Sequence, residues 1–250
     1  RLVIGTLLLP TAQYSGPEEI TAFHRLALER LSALPGVASA SLSAFTPLLN
    51  WPDVRRFHVE GRARPPAGHE PAAAVNAVSH QYFDTFGTRL LAGRTLAERD
   101  GVSAPRVYVI SQSAARSLFG PANPIGRRLA PVAGDNLVWG EIVGVVSDVR
   151  SIEAEAGPPA LQIYQPMDQD PRRRNELAVR TTGLAPSSLV DRIRTTMAEL
   201  DRDLPVRSLQ PADAAVARAN YQLAVLRDIL ATMAILGLGL AAVGIYGIIA

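Results

Sequence analysis

The stretch that decides the fold runs from Leu2 to Phe45, LVIGTLLLPTAQYSGPEEITAFHRLALERLSALPGVASASLSAF. Leu2–Leu9 is a short apolar run of strand length, closed by Pro10. Pro17 sits where a helix begins, and Glu18 and Glu19 suit the positive end of its dipole. Ile20, Phe23, Ala27, Leu31 and Leu34 recur at helical spacing until Pro35 and Gly36 stop the run. Val37–Phe45 alternates apolar with small polar residues, as a half-buried strand does. The stretch is strand–helix–strand.

The same pattern returns far along the chain. Glu176–Thr182 (ELAVRTT) reads as a strand, Pro186 opens a helix through Leu189, Ile193, Met197 and Leu200, and Leu204–Leu209 reads as a short strand. Two such units make a four-stranded sheet with two helices on one face, the split βαβ or ferredoxin-like plan. The four strands are therefore expected to form a single unit, although they lie at opposite ends of the chain.

Residues 51–171 have a different texture. Trp51–Pro71 is rich in Pro, Arg and Gly and reads as loop with a strand at Arg56–Val59. Ala72–Ser79, Val107–Ile110, Val138–Val146 and Gln162–Tyr164 read as strands. His80–Phe86 predicts a short helix closed by Gly87, and Ser111 caps a helix closed by Gly120. The expected fold is α+β. A split βαβ subdomain covers 1–50 and 172–212, and a mixed α/β subdomain with its own core is inserted at 51–171.

Residues 213–228 are Ala-rich without Gly or Pro and predict a stalk helix. Ile229–Ala250 (ILATMAILGLGLAAVGIYGIIA) carries no charge, Asn, Gln or Pro. At 1.5 Å per residue it spans about 33 Å, enough for a hydrocarbon core of about 30 Å. A C-terminal transmembrane helix is expected there, truncated by the end of the sequence. Gly237, Ala241 and Gly244 share one face of it and would admit a close partner helix. The string Gly237-Leu-Gly239-Leu-Ala-Ala242 fits a dinucleotide-binding turn, but lacks the preceding strand and the later acidic residue such a turn needs.

The chain has 250 residues, 48% hydrophobic and 19% charged, with a formal net charge of +2. The one basic run, Arg172–Arg174, lies among Asp168, Asp170 and Glu176 and reads as a solvated loop, not a nucleic-acid footprint. With no cysteine, disulfides, thiolate metal sites and cysteine nucleophiles are excluded. The sequence starts at Arg1 with no leader and stops within an apolar run, so a longer parent chain is expected.

Chemistry is sparse. His24, His58, His69 and His80 show no helical zinc spacing and no H-E-x-x-H; His24 and His58 read as surface or half-buried residues. Glu153/Glu155 and Asp201/Asp203 sit in turn-like contexts, Asp201 as a helix end. No serine has a G-x-S-x-G setting, and no phosphate-binding G-x-x-x-x-G-K-[ST] occurs. Asp148 follows a strand and reads as a turn residue. Catalytic, cofactor and metal residues are thus expected to be none, and the protein is not expected to be an enzyme.

Several strings are nonetheless distinctive when taken in order. They are Val75–Ser79 with Tyr82–Phe83 and Phe86–Gly87; Leu91–Arg94; Val109–Ser111 with Ala114–Ala115 and Phe119; Asn123–Arg127; Glu141–Val146 with Asp148–Arg150; Leu200–Asp201 with Leu204–Val206; and Ala241–Gly247. This series resembles the periplasmic core domain of MacB-like, FtsX-type ABC transporter permeases, closest to soil-bacterial permeases that carry the domain more than once. The resemblance implies that the two subdomains are porter-like and sabre-like. It implies a first membrane helix upstream, further permease helices, a dimer of permeases, a cytoplasmic ABC ATPase that binds the ATP, and a periplasmic adaptor. It places the chain at the bacterial inner membrane with its bulk outside the cytoplasm, where ATP-driven motion would export or release a substrate. An adaptor that regulates a cell-envelope enzyme and a membrane-anchored enzyme are the competing readings.

Overall fold

The computed structural model describes residues 1–47, 49–50, 52–132, 137–149, 161–183, 185–204, 206–218, 221, 229–234 and 237–238. It divides into two compact units, Arg1–Ala212 and Asp213–Ala250.

In the first unit, β1 (Leu2–Leu8), α1 (Pro17–Ser32) and β2 (Val37–Ser43) come first. Pro17 occupies the first turn of α1, and Glu19 Oε2 accepts from the Gly16 N–H at 2.8 Å, capping the helix. β3 (Asp53–Val59), β4 (Ala72–Val78), α2 (Tyr82–Phe86) and β5 (Leu90–Gly93) follow. Then come β6 (Val107–Ser111), α3 (Gln112–Phe119), β7 (Arg128–Pro131), β8 (Gly140–Val146) and β9 (Gln162–Pro166). β10 (Arg174–Thr181), α4 (Pro186–Leu200) and β11 (Arg207–Pro211) complete the unit.

The strands from the two ends of the chain are neighbours, in the order β11-β1-β10-β2 and antiparallel throughout. Their register puts Val3, Leu7, Ala40, Leu42, Leu177 and Val179 on one face, where α1 (Phe23, Ala27, Leu31) and α4 (Leu189, Ile193, Met197) cover them. Each leucine or isoleucine fully buried here contributes about 2 kcal/mol. The edge strand departs from the sequence expectation: β11 starts at Arg207, whereas Leu204 is a buried turn residue that anchors the end of α4 to the same core.

The intervening strands close on themselves. β4, β3, β7, β8, β6 and β9 pair in succession, and parallel pairing of β9 with β4, from Ala74↔Gln162 to Val78↔Pro166, completes a six-stranded barrel. One cluster takes Phe57, Val75, Tyr108, Leu129, Ile142 and Ile163, from all six strands, with Ala114, Ala115 and Leu118 of α3. The alternate residues Val107, Val109, Val146 and Tyr164 face the other way and pack with Tyr82 and Phe83 of α2 and with Leu96. Ser111 caps α3, its Oγ accepting from the Ala114 N–H.

The short strands β5 and β7 are absent from the sequence expectation. β5 lies against the second half of β8 by way of two glycines. A Cβ on Gly144 would run into the Arg94 carbonyl, and one on Gly93 (φ +72°) into the Val143 carbonyl.

In the second unit, residues 213–218 and 229–234 are helical, as is the pair 237–238. No helix among the described residues is long and apolar enough to cross a membrane. Most of the expected stalk (213–228) and span (229–250) lies outside the described residues, as do Glu153 and Glu155.

Candidate functional site

The four-stranded layer and the barrel meet along a seam that includes α2, which packs on β2 and β10, and a bond of 2.7 Å from Arg180 Nε to Thr85 O. One backbone pair, Ser43↔Val78, joins β2 to β4. Side chains extend it. Asn76 Oδ1 accepts from the Ala44 and Phe45 N–H groups at 3.1 and 3.3 Å, and its Nδ2 donates to Phe45 O at 3.1 Å. Ser79 Oγ accepts from the Leu42 N–H at 3.2 Å, while the Ser79 N–H donates to Leu42 O at 2.9 Å. Asn76 is 1% exposed, so an amide that mimics a strand partner stands where the ladder itself ends.

The second crossing is ionic. Arg172 and Arg55 both hold Asp53 and Asp170, with Arg172 Nη2 at 2.9 Å from each carboxylate. Burial pushes the Asp53 carboxyl up, but the two guanidiniums outweigh it and hold it below the usual carboxylate range. Arg172 therefore departs from the solvated-loop expectation. It is a half-buried clamp between the chain entering β10 and strand β3.

Beside the seam lies a cleft of about 440 Å³. α1 supplies His24, Arg25, Leu28 and Glu29; the other wall comes from Ser79, His80, Leu96, Glu98, Met167 and Asp168. Burial raises the Asp168 carboxyl, opposed by Arg25, whose guanidinium is 3.9 Å away, and by His80. Asp100, on the same wall, is neutralised in place. Burial alone would raise its carboxyl, but two Arg94 bonds of 2.7 and 2.9 Å and the Ala97 N–H keep it below the usual range.

His24 corrects the surface or half-buried expectation, for it is 2% exposed. Burial drives its imidazole down to about 4. Asn175 Nδ2 lies 2.8 Å from Nε2, which assigns the proton to Nδ1, a buried atom without a partner among the described residues. Only helical phase could have revealed this in the sequence: position 24 adjoins Phe23 and sits one turn before Ala27 and Leu28.

The remaining expected residues have structural settings. Asp148 accepts from the Ser113 N–H at 2.8 Å and Oγ at 2.7 Å, tying β8 to the start of α3. Asp201 ends α4 and accepts from Tyr14 Oη at 2.9 Å, a contact that joins burial in raising the Tyr14 phenol to about 12. Gly237 is helical, with nothing within 4 Å of a Cβ built on it; Ala241 and Gly244 lie outside the described residues. Among the described residues no three His, Asp or Glu side chains come together as a metal site.

This fold is that of the extracytoplasmic domains of ABC transporter permeases. Residues 7–200 match the family model of the MacB-like periplasmic core domain, and the chain belongs to that family, one of transporter-permease domains. It is similar to the macrolide export ATP-binding/permease protein MacB of Aggregatibacter actinomycetemcomitans, 34% identical over 31% of this chain and 11% of that protein. It is also similar to the uncharacterized ABC transporter permease YknZ of Bacillus subtilis, 30% identical over 33% of this chain and 20% of that protein. The chain thus aligns with only a small part of these curated relatives. Among solved structures, the periplasmic region of MacB from Actinobacillus actinomycetemcomitans superposes with a TM-score of 0.53 at 18% identity, over 79% of this chain and 83% of that one. The extracellular domain of YknZ gives 0.51 at 19% identity, over 80% and 93%. At these identities the structural likeness concerns the fold.

Proposed function

We propose that the chain is the extracytoplasmic domain of an FtsX-type ABC permease, and that relative movement of its layer and barrel does the work. In this reading 1–50 and 172–212 are the porter-like part and 51–171 the sabre-like part. Residues 213–228 are the stalk and 229–250 a membrane helix that packs through Gly237, Ala241 and Gly244. ATP is bound by a separate cytoplasmic ATPase, two permeases pair, and a periplasmic adaptor receives what is released. The domain holds no catalytic role.

The observation that carries this reading is the seam. Two hydrophobic cores meet across one strand pair, the Asn76 and Ser79 bonds, the bond from Arg180 Nε to Thr85 O, the packing of α2 on β2 and one ionic clamp, and a cleft is lined from both sides. Parts with cores of their own can move as units when one of them is pulled.

The chain has no cysteine, so paired thiols can be introduced cleanly. Glu29→Cys with Glu98→Cys places one thiol on each wall of the cleft. In the intact permease with its ATPase in vesicles, a bismaleimide bridge is expected to stop substrate release while ATP binding persists. Unimpaired release from the bridged protein would overturn the reading.

A further inference from the structure

A second cavity, of about 330 Å³, lies away from the seam, beside the β3–β4 connection. Its polar lining is almost wholly basic: His58, Arg62, Arg64 and His69, with Ser117 of α3. Its remaining walls are apolar, with Phe57, Val59, Pro65 and Leu118 among them. Among the described residues no carboxylate lines it. Glu70, next in sequence, turns back to accept from the Gly68 N–H at 2.8 Å.

Arg55, Arg94, Arg128 and Arg172 each hold a carboxylate. Arg62 and Arg64, two residues apart and exposed, hold none among the described residues. His58 Nδ1 is buried and also without a partner among the described residues. Two arginines and two histidines within residues 58–69 gather at one cavity; the Glu70 carboxylate interacts with His58 and Arg56, and the Arg62 and Arg64 guanidiniums repel one another unless an anion is supplied from outside. Guanidiniums present paired N–H donors that fit the oxygens of a phosphate, and imidazole donates alongside them.

We propose that this cavity binds a phosphate monoester carried on an apolar body. The basic rim takes the phosphate, and the apolar wall formed by Phe57, Val59, Pro65 and Leu118 takes the first carbons of the tail. A phosphate suits the rim better than a carboxylate, because its charge of roughly −1.5 to −2 matches two guanidiniums where a carboxylate would leave one unanswered. The proposal concerns only the barrel and stands whether or not the chain drives transport.

The test is calorimetric titration of the full chain, held in uncharged detergent, with n-octyl phosphate, n-octyl glucoside and inorganic phosphate. Octyl phosphate is expected to bind at least about tenfold more tightly than octyl glucoside, the scale of one or two charge-assisted hydrogen bonds. Arg62→Ala/Arg64→Ala, at exposed positions that leave the fold intact, is expected to erase that difference, whereas Arg30→Ala/Arg192→Ala on exposed helix faces keeps it. Equal binding of octyl phosphate and octyl glucoside, or a preference that survives Arg62→Ala/Arg64→Ala, overturns the proposal. Inorganic phosphate binding as tightly as octyl phosphate overturns the apolar-tail half of it and assigns the rim to free phosphate.

Discussion

The layer and the barrel solve one problem in opposite ways. The layer is an open four-stranded sheet whose apolar face is covered by two amphipathic helices, so its core depends on helices docking from outside. The barrel buries its core by curving strands around it until β9 meets β4, and it uses only the short α3 to complete the filling. Open sheets can shear or lose a helix by degrees; a closed ring gives way only by breaking a strand pair. The difference is one of closure: each strand of the ring is paired on both sides, whereas the layer's apolar face depends on α1 and α4 staying docked.

The largest expected effect attacks the barrel from within. Phe57→Ala removes a ring that is 1% exposed and packs edge-on to Tyr108 with centroids 6.2 Å apart. A loss of about 3–5 kcal/mol is expected from urea unfolding. Hydrogen exchange is expected to accelerate across β3, β4 and β6–β9 together, while β1 and β10 stay protected. Equal acceleration in β1 and β10 would mean the halves are one cooperative body, and the contrast between them would be lost.

The two halves were also unequally legible in the sequence. The layer was readable because each helix carries its own address: a proline start, a 3.6-residue apolar period and a stop at Pro35 or near Asp201. The order β11-β1-β10-β2 then follows from the βαβ plan. The barrel was not readable. Its closure rests on a parallel pairing between β4 and β9, segments with no local signal for each other, and β5 and β7 are only four residues each. The cleft was hidden for the same reason, since its walls come from α1 and from residues up to Asp168. His58 and His69 were visible one by one, but their gathering with Arg62 and Arg64 at one cavity depends on how the β3–β4 connection folds.

Acid should loosen the layer first. The His24 imidazole sits at about 4 in the folded chain because burial disfavours its charged form. The unfolded chain, with an ordinary imidazole near 6.5, takes up the proton earlier. The stabilisation is therefore complete above about pH 6.5 and is lost as pH falls toward 4, by up to about 3 kcal/mol. Urea midpoints followed through α1 are expected to fall between pH 7 and pH 5, and His24→Leu is expected to flatten that slope. A slope unchanged in His24→Leu would remove the acid response from the layer.

Gly144→Ala tests where β5 meets the barrel. The added methyl meets the Arg94 carbonyl, so β5 must lift from β8, at an expected cost of about 3 kcal/mol. Gly61→Ala serves as a reference, since its site has a positive φ (+76°) but open space around it. It is expected to cost about 1 kcal/mol through backbone conformation alone. Equal costs in the two variants would show that β5 is free to move and adds little to the barrel.

Asn76→Ala addresses the seam itself. The substitution removes three hydrogen bonds that stand in for strand pairing between Phe45 and β4. Because Ala44 still donates to Ala77 O at 2.8 Å, the loss is expected to be modest, about 2 kcal/mol. The informative readout is where it falls. Exchange should quicken at Phe45 and Ser79 with both cores intact, and Asn76→Asp should restore the two accepted bonds but not the donated one. If both cores soften along with the seam, the bracket belongs to a single continuous body. If they hold, the two halves meet at a joint that the Asn76 amide helps to stiffen.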